Sequence, residues 1–110
     1  MLYFIDLVTE LESCTADSKV FYMRDKVEKV KQLLCTHKYR SYITNETKAA
    51  LLSKVLGKKI PVSKKEADED DVKRMLKENA YIVMVSAEQI ENAVFISMNI
   101  VKPRSKIAML

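Results

Sequence analysis

The chain is poor in the residues that punctuate tight turns: in 110 residues it has one glycine, Gly57, and two prolines, Pro61 and Pro103. Few tight hairpins are therefore expected, and strands joined mostly through helices. Tryptophan is absent, and His37 is the only histidine, which excludes a two-histidine metal site within one protomer. No GxGxxG, phosphate-binding P-loop or CxxC motif is present, and no metal or cofactor is expected. The two cysteines, Cys14 and Cys35, have no metal-ligand spacing and read as reduced thiols. Cys35 closes an apolar helical stripe and is expected to be buried. No apolar run reaches the ~18 residues that span a bilayer, so no membrane partner is expected. The opening MLYFIDL lacks a basic leader region and meets Asp6 at once; it reads as a buried first strand and not as a signal peptide.

What is present is a globular composition, 48% apolar and 31% charged, in a length that suits one domain. The fold expected is α/β, a mixed and mostly parallel sheet of about five strands flanked by helices. It would occupy residues 1–102, with 103–110 as a basic tail. Strands are expected at Leu2–Val8, Lys19–Met23, Tyr39–Ile43, Tyr81–Ser86 and Ala93–Val101. In the last of these Val94, Ile96, Met98 and Ile100 face one way. Val27, Val30, Leu33 and Leu34 mark one face of a helix over Asp25–Cys35. Thr44 or Asn45 caps a second helix that buries Ala49, Leu52, Val55 and Leu56 and ends at Gly57. Glu66–Asn79 leads with acids and follows with bases, the order that complements a helix dipole, and carries a thin stripe of Val72, Met75 and Leu76.

Charge is unevenly distributed. Residues 19–65 hold thirteen Lys or Arg against three acids, whereas 66–91 hold eight acids against three bases. The basic block suits a polyanion, or equally a solvated lysine-rich surface. Within it, the helix start after Tyr39–Ile43 presents free backbone N–H groups and a positive dipole end. Arg40, Ser41, Thr44, Asn45 and Lys48 gather around that start, and together with Lys64 they form the candidate ligand-binding set. His37, just past a helix C-terminus, reads as a surface histidine favoured by the dipole, with acid–base chemistry as the alternative. No residue is assigned a catalytic role. Tyr22, Tyr39 and Tyr42 lie among lysines and leave direct DNA or RNA binding open, although no base-reading motif appears.

The stretch YRSYITNETKAALLSKVLGKKIPVSK resembles the viral ring nucleases, small anti-type-III-CRISPR proteins of archaeal viruses and phages. Ser41, Ile43, Leu51-Leu52-Ser53, Leu56-Gly57 and Pro61 carry the match without gaps. The resemblance implies a homodimer that binds a cyclic oligoadenylate, acts in the host-cell cytoplasm and silences defence signalling. Family members cut the ring without a metal, by attack of a ribose 2′-hydroxyl. Departures fall on the polar positions. The family's Gly-His lands on Thr44-Asn45, its Asn-Arg on Ser63-Lys64 and its Gln-Arg on Ala87-Glu88. Asparagine cannot protonate a leaving group at neutral pH, and loss of such an acid typically costs about 10²–10⁴-fold in rate. The expectation is therefore a scaffold that binds a cyclic oligonucleotide with weak or no cleavage. The alternatives are a protein-binding inhibitor of a host defence nucleoprotein complex, and an active nuclease with relocated catalytic groups.

Overall fold

The computed structural model describes residues 1–11 and 18–103. Eight elements follow in chain order: β1 (Leu2–Glu10), β2 (Lys19–Tyr22), α1 (Arg24–Thr36), β3 (Tyr39–Ser41), α2 (Glu46–Leu56), α3 (Glu69–Lys77), β4 (Tyr81–Ile90) and β5 (Ala93–Val101). The strands form one sheet in the order β2-β5-β4-β1-β3. β1 is parallel to both β3 and β4, β2 is parallel to β5, and only β4–β5 is antiparallel. This is the α/β class and the mixed, mostly parallel sheet expected from the sequence. A tight hairpin joins β4 to β5 and places Glu91 at φ 56° without a glycine. Among the described residues no helix is long and apolar enough to cross a membrane. Cys14 and residues 104–110, most of the expected tail, lie outside the described residues.

β1 is apolar throughout its first half because both its faces are covered. Leu2 and Phe4 point to the side where α1 and α2 pack, alongside Val83, Val85, Val94, Ile96 and Met98. Into that layer α1 inserts Val27, Val30 and Leu34, and α2 inserts Ala49, Leu52, Val55 and Leu56. Tyr3 and Ile5 point the other way, into a smaller cluster with Tyr42, Ala80, Ile82 and Met75 of α3. Leu33 lies only partly within the first core, and Cys35 is exposed, contrary to the expected buried thiol. The helix's buried line runs through Leu34, and the next residue is turned about 100° away from it.

The ends of α2 are set locally. The Asn45 side chain accepts from the Lys48 N–H at 2.9 Å, and Gly57 closes the helix in the left-handed region at φ 70°. The Ser53 hydroxyl donates to Ala49 O at 2.7 Å and accepts from the Ile60 N–H at 2.8 Å, which turns the chain back along the helix. A bond from Ser63 N–H to Ile43 O at 2.8 Å then lays residues 60–63 beside the loop that leaves β3.

α3 is shorter than the expected Glu66–Asn79 because its start is fixed by a capping box. Asp71 N–H donates to the Asp68 carboxylate at 2.8 Å and Asp68 N–H to the Asp71 carboxylate at 3.1 Å. Of its apolar stripe Met75 is wholly buried, Val72 is half-buried and Leu76 is 55% exposed. The Asp71 carboxyl is held below its ordinary value of 3.8, first by the Asp68 N–H and then by Lys65 and Arg74, with burial acting the other way. A depressed native pKa supplies stability above the unfolded value that is lost as pH falls through the lower folded one. Circular-dichroism melts between pH 2 and 7 should show the native chain losing stability below about pH 4. Asp71→Asn should start less stable at pH 7 and lose less over that interval.

Candidate functional site

The sequence-derived candidates divide into two groups. Ser41, Asn45 and Lys48 serve the fold. Ser41 is buried and its hydroxyl accepts from the Ile43 N–H at 3.1 Å. Asn45 caps α2, and Thr44 is half-buried beside it. Lys48 is fully buried: its ammonium is ion-paired to Asp6 of β1 and donates to Val85 O of β4 at 2.8 Å. Burial pushes the Lys48 ammonium below the usual lysine range, while Asp6 opposes that shift. Its charge is therefore directed into the sheet, away from any ligand over the helix start.

Arg40 and Lys64 do come together. They line one cleft of about 390 Å³ with Tyr42, Ser63, Lys65, Asp71 and Arg74. Three elements build it. β3 carries Arg40 and leads into Tyr42, the segment tied to Ile43 brings Ser63 to Lys65, and the first two turns of α3 bring Asp71 and Arg74. The cleft thus lies beyond the carboxyl end of β3, on the α3 face, where the connection from β3 to β4 passes from one side of the sheet to the other.

Tyr42 organises the floor. Its ring packs 6.1 Å from that of Tyr3, centroid to centroid, and the Arg40 guanidinium lies over it at 5.7 Å. Its hydroxyl accepts from Arg74 Nη2 at 2.9 Å. Arg74 and Lys65 lie 3.4 and 3.5 Å from the Asp71 carboxylate, so the single acid of the lining is shared by two cations. Arg40 and Lys64 have no carboxylate partner among the described residues. Four cations against one acid leave an excess of positive charge, with the Arg40 guanidinium over the Tyr42 ring. That arrangement recognises phosphate or carboxylate oxygens.

For proton transfer the cleft is poorly equipped. Its lining holds no imidazole or thiol, and Asp71, committed to the capping box, has its carboxyl held low. His37 caps the C-terminus of α1 and packs edge-on at 5.1 Å against Tyr81, at the start of β4. Residues 37 and 81 precede β3 and β4, so His37 sits at the opposite end of the parallel strands from the cleft. No group of three or more His, Cys, Asp or Glu suited to a metal ion occurs among the described residues. Lys65 and Arg74 were not among the sequence candidates, Arg74 standing only among the bases that follow the acids of Glu66–Asn79, and Tyr42 was marked only as one of three tyrosines among lysines. No protein-family model, no curated protein and no solved structure matches this chain.

Proposed function

We propose that the chain binds a phosphate-bearing nucleotide ligand of the cyclic oligonucleotide class in the Arg40–Tyr42–Arg74 cleft and holds it without efficient cleavage. The carrying observation is the Arg40 guanidinium over the Tyr42 ring with Lys64 in the same cleft, two cations without a carboxylate partner among the described residues, at the carboxyl end of a strand. The ring-nuclease-like stretch Ser41–Lys64 supports the choice of ligand and an anti-defence role in a host cell. Asn45, at the position of the family's histidine, supports retention over hydrolysis. A homodimer with paired clefts would give a ring-shaped anion two equivalent contacts.

Isothermal titration against cyclic and linear oligoadenylates tests this. Binding is expected for at least one cyclic species, with Arg40→Ala weakening it about tenfold or more, the scale of one charge-assisted contact. Arg40→Lys should recover only part of the loss, since lysine keeps the charge without the planar fork. Heat changes absent from the whole panel, or affinity unaltered in Arg40→Ala, would refute the assignment. Chromatography of the incubated ligand distinguishes holding from cutting.

The second reading is a protein-binding inhibitor on the same scaffold. A separate groove favours it: Leu76, Ala80, Val101 and Pro103 give it an apolar floor, and Lys73, Lys77 and Lys102 rim it with positive charge. An acidic amphipathic segment of a defence protein suits that surface.

A further inference from the structure

The edge of the sheet at β2 carries a second basic surface that the cleft does not use. A groove of about 670 Å³ runs between β2, α1 and α2, with Lys19, Lys31 and Lys54 in its lining. Each lysine comes from a different element, and Ser18, Val20, Phe21, Tyr22 and Val55 complete the lining, with no acid in it among the described residues. None of the three ammonium groups is in an ion pair among the described residues.

The same edge exposes aromatic rings. Tyr22 is 46% exposed and Phe21 48%. Strand alternation sends them to opposite faces of β2, so aromatic surface lies on both sides of the edge. Phe21 also stacks on Phe95 of β5, with centroids 5.1 Å apart and planes within 15°, and Phe95 is itself 43% exposed. A fold that had to hide these rings would have covered them, as α3 covers Tyr3 and Tyr42 at the far end of the sheet. A positively charged groove beside exposed aromatic faces is complementary to a strand whose phosphates and unstacked bases alternate. A duplex offers the phosphates but keeps its bases stacked on one another.

We infer that the β2 edge is a binding surface for single-stranded nucleic acid, with Lys19, Lys31 and Lys54 on the phosphates and Tyr22 and the Phe21–Phe95 pair stacking bases. This surface is distinct from the Arg40 cleft, and the inference does not rest on the cyclic-ligand reading.

Fluorescence anisotropy with labelled ten-nucleotide oligo-dT and oligo-rU, and with a blunt DNA duplex as comparison, tests it. One or both single strands should bind more tightly than the duplex. The log–log dependence of affinity on salt should have a slope of about −2, as three phosphate contacts on a single strand require. Tyr22→Ala should weaken binding about tenfold, the loss of one stacked base. Lys31→Gln/Lys54→Gln should flatten the salt slope, and Lys19→Gln gives an independent third position should the double variant fold poorly. Arg40→Ala should leave single-strand binding unchanged. Absence of single-strand binding at 50 mM salt, preference for the duplex, or binding lost in Arg40→Ala but kept in the lysine variants would overturn the assignment. A failure confined to these oligonucleotides, with cyclic ligands still titrating through Arg40, would remove this surface and leave the cleft standing.

Discussion

Lys48→Ala is expected to destabilise the fold by about 3–5 kcal/mol, the cost of stranding one partner of a buried charge pair. Lys48 is the only lysine placed in the core among the described residues, and removing it leaves Asp6 facing the interior with its side chain 8% exposed. Ordinary domain stability is only about 5–15 kcal/mol, so this variant should unfold at markedly lower denaturant concentration or fail to accumulate as native protein. The informative companion is Asp6→Leu/Lys48→Met, which replaces both charges with apolar side chains of similar reach. That double variant should recover most of the loss and equal or exceed the native chain, because two desolvated charges are often no better than a good apolar contact. Urea denaturation of both variants against the native chain checks the pair. A double variant as weak as Lys48→Ala would show that the Lys48 bond to Val85 O carries the stability instead of the ion pair.

Met75→Ala should cost about 2–5 kcal/mol, the range for emptying a buried methionine site. α3 spans nine residues, and Met75 is its one fully buried apolar side chain, seated among Tyr3, Ile5, Tyr42 and Ile82. An isolated helix of that length is marginal in water, so its position depends on this anchor. The same helix delivers Asp71 and Arg74 to the cleft. Loss of ligand affinity should therefore accompany the loss of stability in Met75→Ala. In Leu52→Ala, on the far side of the sheet, stability should fall while affinity in the folded fraction holds. Denaturant titrations paired with calorimetry on the two variants separate these outcomes, and equal effects on affinity would contradict the anchoring role.

Much of the fold was written in local patterns. Ala93–Val101 is a strand with the bounds its alternation implied, and Asn45 and Gly57 delimit α2 as capping chemistry requires. β4 continues past Ser86 to Ile90 because Ala87 still packs into the core while Glu88 faces outward, a polar alternation that reads as a strand end in a continuous apolar run. Lys48 was misleading for a related reason. Its place near a helix start suggests a phosphate ligand, yet it stands four residues before Leu52 and seven before Val55, on the buried stripe. A lysine on an apolar stripe and an aspartate inside an apolar strand were the legible sign of an internal pair. The cleft was only half legible. Arg40 and Lys64 stand out by charge, but Tyr42, Lys65 and Arg74 join them through the Ser63–Ile43 bond and the Met75 anchor, which are contacts between distant segments.

The position of β1 inside the sheet, between β4 and β3, has a consequence for how the chain is made. It is made before the other strands of this sheet, yet one of its neighbours is β4, with Leu2 set against Tyr81 and Phe4 against Val83. Its other neighbour, β3, offers only three residues of pairing. Until β4 has been synthesised, the apolar edge of β1 has no native partner along most of its length. At roughly 5–20 residues per second, that interval lasts several seconds on the growing chain. Nascent polypeptides stalled before residue 81 would expose that edge to chaperones and to one another, and it closes only once residues 81–90 have been made.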